Sequence, residues 1–225
     1  MLFHLALLAA SYVTGTSALV SAVDSSSLVS TSTFTTAKSE GFTKAIIRGY
    51  EEACSVGGEV DPNFVSTYNN ARAAGITNID TYWFPCTGSG NSCKSFATQI
   101  AELGAVFNAH SMQIGTIWVD IEQDSICNPW NYGASGNLSQ AKSMVAAMKA
   151  SGYKFGIYSS PGEWSNIFGS YGVVLDTSYS LWFADYNNEE NLTIPTKFGG
   201  WTSAVGHQYT DVSASGQFDL NVFSS

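Results

Sequence analysis

Two carboxylates one residue apart, Asp120 and Glu122, close the run IGTIWVDIE at 114–122. In an extended strand alternate side chains share a face, so residues i and i+2 lie about 6.6 Å apart on the same side. The residues before them are rich in Ile, Thr, Trp and Val, which suits a strand buried on both faces. Two acids at the end of such a strand are costly to desolvate, and each raises the other's pKa. Chemistry that needs one protonated and one ionised carboxyl at the same pH uses this arrangement, with glycoside hydrolysis the leading example. D-x-E is a short pattern, however, and a strand ending at the surface with two solvated acids also satisfies it.

The rest of the chain must place that strand. LVSAVD (19–24) and KAIIRGY (44–50) read as the first two strands, with a polar helix near 31–40 between them. Asp61 before Pro62 predicts a helix N-cap and first position, and Gly75 its end. A third strand over 76–84 leads to a helix over 95–109, with Phe96, Ile100, Leu103 and Phe107 on one face. The fourth strand is 114–122 itself. Ser139 predicts the cap of a helix ending at Gly152, strand five covers 154–160, and a short helix follows Pro161. Stretches 179–186, 199–210 and 217–223 read as strands with little helix between them. Five β/α units and then three strands predict a mostly parallel, TIM-like β/α barrel with its last helices reduced.

In such barrels the site lies at the C-terminal ends of the strands. Asp24 ends strand one, Asp185 lies late in strand six, and Asp219 comes early in the last strand. Tyr50, Tyr82, Tyr158 and Tyr209 also fall near strand ends. Cys54, Cys86, Cys93 and Cys127 follow strands two, three and four. An even count in an exported chain implies two disulfides, which would staple the loops around the mouth; three pairings are open.

Export itself is read from residues 1–18, which hold an apolar core around 2–10 and no Asp, Glu, Lys or Arg. A secretory leader cut after Ala18 or Ala22 is expected, leaving one domain over 19–225 in a secreted or lumenal compartment. No later segment is long and apolar enough to cross a membrane. A net charge of −9 with only nine Lys and Arg argues against nucleic acid or an anionic membrane as partner. The cysteine spacings form no zinc pattern, and no Ser-His-Asp or Cys-His arrangement stands out. Sequons at Asn137 and Asn191 are compatible with glycosylation.

These pieces together resemble the glycoside hydrolase family 25 lysozymes, which are N-acetylmuramidases. The resemblance rests on VD (23–24), AIIRGY (45–50), YWFP (82–85), WVDIE (118–122), GIYSS (156–160), LWFADY (181–186), HQYT (207–210) and FDLNVF (218–223), in that order. It implies a flattened barrel of the truncated type and cleavage of the β-1,4 bond between N-acetylmuramic acid and N-acetylglucosamine in bacterial peptidoglycan. It implies Glu122 as general acid/base and Asp120 as an ionised carboxylate assisting at the sugar's 2-acetamido group, with Asp24 and Asp219 as further acids. Tyr158, Trp182 and Tyr209 match aromatic positions of the cleft, and Asp185 joins them as a substrate-binding candidate. No metal or organic cofactor is implied, and a monomer is expected. Whether the acetamide or Asp120 makes the first attack stays open at this level. Two rivals remain: a chitin-type glycosidase, and a glycan-binding protein without turnover. The acidic balance implies either wall binding through specific saccharide contacts or work at acidic pH, which a digestive or phagosomal role would fit; the wider role expected is defence against bacteria or digestion.

Overall fold

The computed structural model describes residues 18–225, so the expected leader lies outside the described residues apart from Ala18, or apart from 18–22 for a cut after Ala22. The chain runs β1 (Val20–Ser25), α1 (Thr31–Ser39), β2 (Lys44–Glu51), β3 (Glu59–Val60), α2 (Phe64–Ala73), β4 (Asn78–Trp83), α3 (Phe96–Ala109) and β5 (Ile117–Asp120). It continues with α4 (Gly133–Ser151), β6 (Phe155–Ser159), α5 (Pro161–Phe168), β7 (Ser180–Ala184), β8 (Gly206–Thr210) and β9 (Asp219–Phe223). The strand order is β1-β9-β8-β7-β6-β5-β4-β2-β3, and β1 also pairs with β2, which closes a barrel with β3 as an appendage on β2. All barrel neighbours are parallel except β9, which runs antiparallel to both β1 and β8. Five β/α units followed by three strands is the order expected above.

Strand alternation sorts the side chains into two cores. Val23, Ile47, Ile79, Val119, Ile157 and Phe183 face the helices. Ala22, Ile46, Trp118, Trp182 and Phe223 fill the barrel. The rings of Trp118, Trp182 and Phe223 meet at centroid distances of 5.7–5.9 Å. They fit because Gly156 and Gly206 leave room: a Cβ at either position would overlap Trp118 or Phe223 respectively.

Below these rings, at the N-terminal end of the barrel, Lys44 Nζ donates to Asp80 Oδ2 at 2.5 Å, and both residues are buried. Trp118 Nε1 and the Thr116 backbone N–H donate to the same carboxylate at 3.0 and 2.9 Å. Asp80→Asn keeps the shape but leaves the Lys44 ammonium buried without its counter-charge. It is expected to cost about 3 kcal/mol of stability, read as a lower urea midpoint.

Several boundaries differ from expectation for local reasons. Helix α2 is regular only from Phe64, yet Asp61 Oδ1 accepts from the Asn63 N–H at 2.7 Å as the expected cap would, while its Oδ2 accepts from Arg48 Nε at 2.6 Å. Helix α4 starts at Gly133, so Ser139 lies inside it and caps nothing. The fourth parallel strand, β5, is only Ile117–Asp120, and the expected strand over 199–210 is ordered as strand only from Gly206. Asn137 is buried; it accepts from the Tyr132 N–H at 3.1 Å and donates to the Ile167 carbonyl at 2.7 Å. The side chain is thus a structural bridge between α4 and α5, and not the exposed glycan acceptor its sequon allowed. Asn191 is only half-buried.

Candidate active site

Asp24, Tyr82, Asp120, Glu122, Tyr158, Trp182, Tyr186, Gln208 and Asp219 line one cleft at the C-terminal end of the parallel strands. Asp219 joins them from the start of β9 because that strand, alone among those of the barrel, runs backwards. A larger hollow of ≈ 410 Å³ lies between α1 and the loop before β9, but Glu40 is its only ionisable lining residue. Convergent acids, rather than size, mark the cleft as the site.

Glu122 sits two residues beyond the end of β5, on backbone held from several sides. The Ile121 N–H donates to the Tyr158 carbonyl at 2.9 Å, and Ser159 Oγ donates to the Ile121 carbonyl at 2.8 Å. Trp130 Nε1 donates to the Glu122 carbonyl at 2.8 Å, and the Gln123 N–H donates to Glu163 Oε2 at 2.8 Å. The Ile121 N–H and carbonyl, the Glu122 carbonyl and the Gln123 N–H all have partners, so the acid is positioned without regular pairing.

Gln208 is the hub of the opposite wall. Its amide Nε2 donates to Asp24 Oδ2 at 2.8 Å and to Asp219 Oδ2 at 3.2 Å. Its Oε1 accepts from the Tyr158 and Tyr186 hydroxyls at 2.7 and 3.1 Å. Asn221 adds a second donor to Asp24 Oδ2 at 2.7 Å and is itself fixed by Trp182 Nε1 at 2.8 Å.

Four carboxyls in one desolvated space hold protons strongly. Burial first, then Asp219 and Glu122, push Asp24 up to about 8 despite its two amide donors. Burial and Glu163 raise Glu122 to about 7, with the Tyr158 hydroxyl pulling the other way and Asp219 adding to the rise. Burial and Asp211 raise Asp219 to about 6. Asp120 is pushed well above the ordinary carboxylate range by burial, Glu122, Asp24 and Glu163. Its Oδ1 is buried without a hydrogen-bond partner. Burial thus favours the neutral form of Asp120 in the free cleft, whereas the ionised form was expected beside a positively charged sugar centre. Glu163→Gln removes one of the charges acting on Glu122. The alkaline limb of any activity that needs protonated Glu122 is then expected to move down by a fraction of a pH unit, read from a pH–rate profile.

Of the eight site residues expected from the sequence, the cleft brings together Asp24, Asp120, Glu122, Asp219, Tyr158 and Trp182. Tyr209 and Asp185 are not among its lining residues. Tyr209 packs edge-on against His207 at 6.3 Å, on the outer side of β8. Asp185 turns its carboxylate to Asn187 Nδ2 at 3.0 Å, and its carbonyl lies 2.9 Å from His207 Nε2. Tyr82, Tyr186, Gln208 and Asn221 were not singled out as site residues. Strand parity was the available signal: with Gly206 inward, Gln208 is inward and Tyr209 outward.

The cysteines pair as Cys54–Cys127 and Cys86–Cys93. The first ties the loop after β2 to the loop after β5, and the second closes the loop after β4, so both lie on the rim. No helix among the described residues is long and apolar enough to cross a membrane.

The family profile described as "Lysozyme-like protein 1" matches residues 15–209. The chain is 35% identical over 204 residues to "Probable GH family 25 lysozyme 2" of Dictyostelium discoideum, covering 90% of both chains. It is 38% identical over 202 residues to "Lysozyme-like protein 5" of Caenorhabditis elegans, covering 88% of this chain and 86% of the relative. A solved muramidase from Trichobolus zukalii superposes with a TM-score of 0.69 at 21% identity, over 92% of this chain and 94% of that one. At that identity the superposition speaks for the barrel.

Proposed function

The chain belongs to the glycoside hydrolase family 25 lysozymes, and we propose that it hydrolyses the β-1,4 bond between N-acetylmuramic acid and N-acetylglucosamine in bacterial peptidoglycan. The observation that carries the reading is the meeting of Asp24, Asp120, Glu122 and Asp219 in one cleft, with Glu122 raised to about 7. At mildly acidic pH Glu122 is protonated and protonates the glycosidic oxygen as the bond to the sugar's C1 breaks.

The unpartnered Oδ1 of Asp120 favours the acetamide route. A buried acceptor of this kind takes a hydrogen bond from an incoming N–H, which the 2-acetamido group supplies. The acetamide oxygen then closes on C1 to give an oxazolinium ion. Its positive charge favours ionised Asp120, whose proton passes to solvent water as the sugar enters, before the ring closes. Glu122, now a carboxylate, takes a proton from the water that reopens the ring, so the configuration at C1 is retained. Asp24 and Asp219, braced by Gln208, bind the sugar and keep the cleft acidic.

Two disulfides and the expected leader support work outside the cytosol, in breakdown of bacterial walls for defence or digestion. The test is clearing of a purified wall suspension, followed by mass spectrometry of the released fragments. New reducing ends at N-acetylmuramic acid are expected. Intact walls with degradation of soluble chitin would support a chitin-type glycosidase, and wall binding without either would support a glycan-binding protein.

A further inference from the structure

We propose that Glu52, Asp124 and Thr87 form a calcium site at the junction of the loops after β2, β4 and β5. Glu52 is only 3% exposed, yet neither of its carboxylate oxygens has a hydrogen-bond partner. It enters none of the ion pairs among the described residues. A carboxylate oxygen of Asp124 lies within 4.8 Å of one from Glu52. Thr87 is 2% exposed, and its hydroxyl is likewise buried without a partner. The Glu52 carboxylate faces the backbone of Thr87 and the carboxylate of Asp124.

A buried, unpartnered carboxylate facing a second one is costly, and a divalent cation between them removes both the repulsion and the missing partners. The donors are carboxylate and hydroxyl oxygens, which suit a hard cation. Cys127 Sγ lies in the same group, but it is bonded to Cys54 and offers no thiolate to a softer metal. Calcium, unlike magnesium, accepts irregular oxygen cages completed by water. Asp124 Oδ1 already accepts from the Ile126 and Cys127 N–H groups at 2.6 and 2.8 Å, which leaves Oδ2 for the ion. The three loops are held together before an ion arrives. Cys54–Cys127 joins two of them, and Asn91 Nδ2 donates to the carbonyls of Thr87 and Cys127 at 2.6 and 2.8 Å. None of the three proposed ligands lines the catalytic cleft.

The test uses the full chain stripped with EDTA, titrated with calcium chloride by calorimetry and followed by thermal unfolding, so no substrate enters it. One site per chain is expected. At about 5 mM calcium, above the roughly 0.1–1 mM Kd of many extracellular calcium modules, Tm should rise by about 4 °C. Glu52→Gln keeps the shape, removes the buried charge and should abolish the shift, while clearing walls normally without calcium. Asp124→Asn, at the less buried ligand, should weaken binding at least about tenfold; it carries the test should the first variant fail to fold. No binding by the wild type overturns the proposal. So does an equal calcium response in wild type and variant, which would place the ion among the catalytic acids.

Discussion

Glu122→Gln is expected to lower kcat for wall cleavage by about 10²–10⁴-fold, with KM nearly unchanged. The amide matches the carboxyl in shape, so sugars still bind, but it cannot protonate the glycosidic oxygen or later take a proton from water. The same change removes one buried acid from a cluster of acids, so the variant should unfold at the same temperature as wild type or higher. Lost activity with unchanged or raised Tm separates a catalytic role from a structural one. Equal clearing by variant and wild type would sink the assignment. Asp120→Asn provides the companion measurement. Its side chain can still accept from an acetamide N–H but cannot carry the negative charge that an oxazolinium ion needs, so kcat should fall without a loss of binding.

How much of this was legible in the sequence depends on what fixes each feature. Asp120 and Glu122 share a face because strand geometry alone puts i and i+2 together, and a β/α series carries that face to the rim. Asp219 required topology. It begins its strand, and only the antiparallel course of β9 brings a strand start to the end where the other strands finish. Tyr209 was favoured because it lies near a strand end and matches an aromatic position of the family, but parity along β8 delivers Gln208 to the cleft instead. Gln208 has no signature as a residue; its role exists only because Asp24, Asp219, Tyr158 and Tyr186 converge on one amide. The disulfide pairing and the part of Glu163 were hidden for the same reason. Cys54–Cys127 and the Gln123–Glu163 hydrogen bond span 73 and 40 residues, which no local pattern encodes, whereas Cys86–Cys93 spans only 7. Burial at the strand end is the largest influence raising Asp120, ahead of the neighbouring charge that the spacing reports.

Burial of the acids also dictates how stability should depend on pH. In the unfolded chain these carboxyls titrate near 4. In the folded chain Asp24 is raised to about 8, Glu122 to about 7, Asp219 to about 6 and Glu52 to about 8. Between about pH 4 and 8 the native state therefore binds more protons than the unfolded state, and stability must fall as pH rises through that window. Groups shifted the other way, such as Glu102 beside Lys94, act only at the acid end, where their stabilising contribution is lost as pH drops below the ordinary carboxylate range. Maximal stability is expected near pH 4–5, with a loss on the order of 5 kcal/mol by pH 8. That loss corresponds to a fall in Tm on the order of 10 °C or more for a chain of this size. A thermal-unfolding series from pH 4 to 9 measures it, and Asp24→Asn should flatten the slope because it removes the carboxyl that resists ionisation most among those facing Gln208. A Tm that is level or rising between pH 5 and 8 would contradict the burial argument. The same protons that stabilise the fold arm Glu122 for the first chemical step, so the pH range that favours the native barrel is also the range in which its acid is loaded. An acidic protein working on an anionic wall is consistent with that range, since protonated carboxyls repel the wall least.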